Sequence, residues 1–206
     1  MYKWWMLLTG VFNMAVASDS VVLLDMAKKK MADPATYEQA LRLGEDRVVL
    51  CGYCHGKDGN SVRTYIPNLA SQTPEYLINQ FESFARGERE SPVMSKLANI
   101  LSDDERVNIA LYYSQLKAEP RMSQQPQHVA EGERLYSGKC AVCHGVDANG
   151  NHAMPRLAGQ PEDYLMNTLE AFKEGKRRTN SPMRPVAAEL ESSDIQALSA
   201  YLTTQP

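Results

Sequence analysis

All four cysteines of the 206-residue chain fall in one short pattern written twice, CGYCHG from Cys51 to Gly56 and CAVCHG from Cys140 to Gly145. Four chemistries use paired cysteines. Exported cysteines usually form disulfides, but two intervening residues make a poor loop for a structural disulfide and leave each following histidine unexplained. A thioredoxin-like redox pair needs a βαβ context, which this sequence does not offer. Four thiolates can hold structural zinc, yet Cys54 and Cys140 stand far outside compact zinc-module spacing, and each pair brings its own histidine. The remaining chemistry is covalent haem attachment, for which Cys-x-x-Cys-His is the signature. Two thiols on one turn reach two vinyl groups on one porphyrin edge, and the next residue lies beneath the ring, where an imidazole meets iron. This reading assigns Cys51, Cys54 and His55 to one haem c, and Cys140, Cys143 and His144 to a second.

The elements that must position these residues are also duplicated. IPNLASQTPEYL in the first half matches MPRLAGQPEDYL in the second, and FESFARGERESPVM matches LEAFKEGKRRTNSPM. Pro67 pairs with Pro155, Gln72 with Gln160, Tyr76 with Tyr164 and Gly87 with Gly175. With two copies, this is a duplicated domain rather than a solenoid. Each half predicts a helix into the haem motif (37–50 and 129–139) and a polar loop. A second helix starts at Pro74 or Pro161 and stops at Gly87 or Gly175. A Ser-Pro loop and a closing helix follow. Ser102 and Glu105 have capping-box spacing for the first closing helix, and 193–203 forms the second. No strand pattern emerges, so the fold class is all-α.

A sixth ligand must come from a small inventory. His128 and His152 each occur in one half and fit the repeat badly. Met94 and Met183 occupy matched places on the loop before the closing helix, seven residues before Leu101 and Leu190 respectively. A thioether on that loop could close the open face of the ring. Met154 and Met166 have no counterparts and are read as packing residues. The carbonyls of Pro67 and Pro155 are placed to accept the proximal imidazole's other N–H, a bond that orients the ring and tunes its basicity.

The bulk properties bound the rest. A net charge of −3 and a pI near 5.8 exclude the strongly basic character of a nucleic-acid binder. The N-terminus MYKWWMLLTGVFNMAVAS has Lys3, an apolar run from Trp4 to Val16 and a small-x-small site at Ala15 and Ala17, the layout of a secretory signal peptide. A retained membrane anchor is the alternative. The resulting domain plan is 1–17 leader or anchor, 18–36 lead segment, 37–118 first domain, 119–127 linker and 128–206 second domain. The run Lys28 to Lys30 and the run Lys176-Arg177-Arg178 are read as solvated surface.

From about Ala40 to Thr203 the chain resembles the dihaem cytochrome c4 family of tandem class I cytochrome c domains. The residues that carry the resemblance are CHGKDGNS, NLASQ and SPVM in the first half, and CHG, RLAGQ and SPM in the second. The resemblance implies two helical haem domains packed across a pseudo-two-fold interface. It implies His/Met ligation of each iron, by His55 with Met94 and His144 with Met183. It also implies electron carriage in the periplasm, from an upstream donor to a haem–copper terminal oxidase. Two other readings stay open: a fixed electron-transfer subunit of a larger respiratory complex, and a dihaem redox enzyme with one open haem.

Overall fold

The computed structural model describes residues 20–152, 154–177 and 181–206, so the leader at 1–17 lies outside the described residues. Among them the chain is helical, with an isolated bridge between Asn151 and Met154. The lead segment forms helix α1 (Ser20–Ala32). Helix α2 (Pro34–Arg47) follows and tightens into a 3₁₀ turn, Val48–Leu50, that delivers the chain to Cys51. The sequence places the start of this helix at Tyr37. The earlier start has a local cause: the Asp33 carboxylate accepts the Thr36 N–H at 2.9 Å, and Pro34 takes the first helical position. The expected boundary between 36 and 37 therefore falls inside α2.

The first half continues through α3 (Gly52–His55), α4 (Pro74–Ala85), α5 (Pro92–Ile100) and α6 (Asp103–Gln115). The second half repeats the plan with α7 (Val129–Lys139), α8 (Ala141–His144), α9 (Glu162–Lys173), α10 (Met183–Ala188) and α11 (Ser192–Thr204). The second helix of each half ends before a glycine at φ +69°, Gly87 and Gly175, a conformation that suits a helix stop. Ser102 and Glu105 close the capping box of α6 at 3.3 and 2.8 Å.

Each half is built on a crossing of its first and last helices. At the crossings stand Gly44 and Gly132. A Cβ at Gly44 would lie 2.4 Å from the Asn108 carbonyl oxygen, and one at Gly132 would lie 2.0 Å from that of Ala197. Bare backbone is what lets α2 reach α6 and α7 reach α11. Around these crossings lie two separate apolar cores, one centred on Ile78, Val107 and Leu111, the other on Leu135, Ile195 and Leu198. Helix α1 adds fully buried Leu23 and Ala27 to the first core. Of the lysine run, Lys29 lies in solvent beside Asp25, but Lys30 is pinned to Asp104 at 2.8 Å with its side chain 17% exposed. The solvated reading fails for Lys30 because α1 packs on the first domain and presses it against α6.

The halves meet in a reciprocal clasp. The Gln72 amide accepts the Arg156 N–H at 2.8 Å and donates to the Arg156 carbonyl at 3.0 Å. Gln160 does the same to Asn68, at 3.0 Å in both directions. Both glutamines are buried. The connecting segment is tied at both ends. Asn60 holds Lys117 and Glu119, while buried Glu162 accepts from Ser123, Gln124 and Gln125.

Candidate haem-binding site

The haem motifs are single helical turns. The His55 N–H donates to the Cys51 carbonyl at 2.9 Å, and His144 to Cys140 at 3.0 Å. One turn thus groups two sulfurs and an imidazole. His55 Nδ1 lies 2.9 Å from the Pro67 carbonyl oxygen, and His144 Nδ1 lies 3.0 Å from that of Pro155. A carbonyl can only accept, so Nδ1 carries the proton and Nε2 keeps its lone pair for a metal. Burial pushes both imidazoles below their ordinary pKa, opposed by these proline bonds. Neutral imidazole is the form that ligates iron.

Met94 and Met183 do not lie on loops. They sit in the first turns of α5 and α10. The Ser-Pro pairs that read as loops lead directly into helices: Ser91 caps α5 by accepting the Met94 N–H at 3.3 Å, and Ser181, just ahead of the α10 N-cap Pro182, accepts that of Met183 at 3.2 Å. Both methionines line a cavity of about 900 Å³ that spans the two halves. Its wall also holds Cys54, His55, Pro67, Cys140, Cys143, His144 and Pro155. Cys51 lies off this wall, packed on the first core beside Tyr113. Met166 packs in the second core as expected, whereas Met154 lines the cavity. His128 and His152 are absent from its wall.

Several wall residues were not singled out by type or spacing. Arg177, read as ordinary surface, is buried at 7% exposure and stacks 4.5 Å over the Phe172 ring. Its partner by repeat, Arg89, stacks 4.6 Å over Phe84. The two cross the interface reciprocally: Arg177 donates to the Tyr76 hydroxyl and Arg89 to that of Tyr164, both at 3.1 Å. Both also donate to Gln80. The signal was available, because each arginine stands two residues beyond the helix-stopping glycine in its own half. Burial pushes the Tyr164 phenol up, but the two guanidiniums outweigh it and hold the group below its ordinary value.

A c-type haem fits these residues. Arg89 and Arg177 direct their hydrogen bonds at neutral phenols and an amide, which leaves positive charge on the cavity wall; a porphyrin brings carboxylates to that wall. The rest of the wall is largely apolar, with Ile66, Leu69, Leu77, Ile109, Leu165 and Leu198 among its residues. Zinc does not fit, because no cluster of three or more candidate metal ligands exists among the described residues.

A family model described as cytochrome c matches residues 129–206. Cytochrome c4 of Stutzerimonas stutzeri is 34% identical over 202 residues, covering 88% of this chain and 95% of that protein. The chain belongs to the cytochrome c4 family. The crystal structure of reduced recombinant cytochrome c4 from Pseudomonas stutzeri matches with a TM-score of 0.75 at 34% identity, over 79% of this chain and 97% of that one. The thiosulfate dehydrogenase electron acceptor of Thiomonas intermedia is 35% identical over 172 residues, 76% of this chain and 78% of that protein. The chain is accordingly an all-α pair of class I cytochrome c domains that carries two covalently bound haem c groups and transfers electrons.

Proposed function

We propose that this protein carries single electrons through the periplasm from an upstream donor to a haem–copper terminal oxidase. In this reading His55 and Met94 ligate one iron, and His144 and Met183 the other. The observation that carries it is the matched histidine and methionine of each half on the wall of one shared cavity. When bound, each haem supplies a one-electron couple. The chain's own residues decide how that couple is used. Four cysteines would hold the two rings, Pro67 and Pro155 orient the imidazoles, and the Met94 and Met183 thioethers would supply each iron's second protein ligand. With a histidine and a methionine available to each iron, neither oxygen nor substrate would have a place there, which favours a carrier over an enzyme. Methionine ligation raises the potential relative to histidine or thiolate, suiting the oxidising end of a respiratory chain.

A second reading concerns the donor. The likeness to a thiosulfate dehydrogenase electron acceptor favours a sulfur-oxidising dehydrogenase as the source of electrons. Membrane attachment would rest on the N-terminal segment, since no helix among the described residues is long and apolar enough to cross a bilayer.

The test uses purified holoprotein. Ferric and ferrous spectra, with and without carbon monoxide, should show two haems per chain, a ferric sulfur-to-iron band and no carbon monoxide shift. A shift on one haem would remove its methionine from the ligand set and reopen the enzyme reading. Oxidation of the reduced protein by oxidase-containing membranes, and its reduction by a thiosulfate dehydrogenase, then test the two partners separately.

A further inference from the structure

The two haem seats match at their cysteines, histidines and methionines but differ at several polar wall positions, among them Asn68 against Arg156, Gln80 against Thr168 and Tyr113 against Leu202. Tyr113, on α6, is 1% exposed and lines the cavity beside Cys51. Its hydroxyl is buried, bonds no nitrogen or oxygen, and faces the Cys51 thiol. The equivalent residue of the second half is Leu202. The Ser71 N–H donates to the Tyr113 carbonyl at 3.2 Å, and the matching Gly159 N–H to the Leu202 carbonyl at 2.9 Å. Leu202 also lines the cavity. A phenol without a nitrogen or oxygen partner in an apolar wall is costly, and such groups call for an explanation.

We propose that the Tyr113 hydroxyl sets the potential of the first haem apart from that of the second, by donating into the haem seat at Cys51. The inference rests on attachment of the first haem at Cys51 and Cys54 and on its ligation by His55 and Met94. A buried O–H whose positive end faces the porphyrin edge, or that donates to the Cys51 sulfur, disfavours the more positive ferric state. The first haem is thereby easier to reduce than its Met ligand alone would make it, while the second has an aliphatic side chain in the same place. Burial holds the phenol far above its ordinary pKa, so it stays a donor throughout the working pH range. Tyr113 acts through its dipole on the couple and is a positioning residue rather than a ligand.

The test is a spectroelectrochemical titration of wild-type and Tyr113→Phe holoprotein, a change that removes one oxygen and keeps the ring. One of the two steps should move to lower potential. At fixed ambient potential its reduced-to-oxidised ratio should fall severalfold to tenfold, tenfold being about 59 mV for a one-electron couple. The other step should stay where it is. The moved step belongs to the first haem if Met94→His, which lowers that haem's potential, moves the same one. Two unmoved steps, a joint shift of both, a rise, or a shift confined to the second haem would each overturn the proposal. Failure of the ligand assignment is separately visible, as a missing sulfur band or a carbon monoxide shift in the wild-type protein.

Discussion

Replacing Gln72 by alanine should loosen the joint between the two haem domains. Its amide meets both backbone groups of Arg156, at 2.8 and 3.0 Å, and Gln72 is 4% exposed. A neutral hydrogen bond is worth about 1 kcal/mol net, but a buried partner left unsatisfied costs about 1–3 kcal/mol. Alanine strands two such groups, and water entering the vacated volume recovers part of the loss, so about 2–4 kcal/mol is expected. Gln72→Glu separates the two bonds. The carboxylate still accepts the Arg156 N–H but cannot donate, and it sets a buried negative charge against a carbonyl. Burial and that carbonyl would raise its folded pKa above the unfolded value. The penalty is then present at neutral pH and relieved as pH falls through the raised value, where the protonated acid regains its donor. Guanidinium unfolding of holoprotein, followed by circular dichroism at about pH 7 and about pH 5, reads both effects. A Gln72→Ala midpoint equal to wild type would refute the argument, as would a Gln72→Glu protein no less stable at about pH 7. The two glutamines serve one interface, so the Gln72→Ala, Gln160→Ala double variant should lose less than the sum of the single losses.

The remaining predictions concern the helix crossing, the ligands, acid and haem. Gly132→Ala places a methyl where 2.0 Å separates it from the Ala197 oxygen; overpacking of about 1–3 kcal/mol should outweigh the helix-propensity gain of about 0.5–1 kcal/mol, and a raised unfolding midpoint would contradict this. Met94→Ala and Met183→Ala should each open one iron, giving a carbon monoxide shift on one haem while the other keeps its spectrum. Hydrogen bonding from Lys30 holds Asp104 below the ordinary carboxylate pKa, so its stabilisation is present above the unfolded pKa and lost as pH falls through the folded one. Asp104→Asn should therefore narrow the gap between midpoints at about pH 7 and about pH 3, and an unchanged gap would count against the Lys30 contact. Haem-free chain should be poorly folded, because each half has a small core facing a large cavity; a cooperative thermal melt of apoprotein would oppose that.

The local chemistry was legible in the sequence because it depends on covalent spacing. Two residues between cysteines and a histidine after them form one helical turn in both halves. His55 and His144 reach proline carbonyls because the repeat holds both distances nearly constant. The misread stretches are those whose signals have two meanings. Ser91-Pro92 marks a loop or a helix start equally well, and the choice depends on whether the residues beyond it find a face to bury, as Ala98 does. Lys176-Arg177-Arg178 reads as solvated charge because nothing nearby in sequence says otherwise. The groups that receive Arg177, Tyr76 and Gln80, belong to the other half, about a hundred residues away.

In a duplicated chain the other half is the best comparator for each residue. Where the halves agree at a polar position, as at Gln72 and Gln160 or Arg89 and Arg177, the agreement marks what both haems require: a fixed joint and a positive wall. Where they differ, the difference cannot be part of that shared requirement. Tyr113 and Leu202 occupy one backbone position with the same carbonyl bond, yet one carries a buried hydroxyl and the other does not. Two identical seats would give two equal potentials and no preferred direction within the chain. A side chain that differs on the wall of one seat, with ligands and tether unchanged, would alter that seat's potential without altering the fold, and would bias which haem holds the electron.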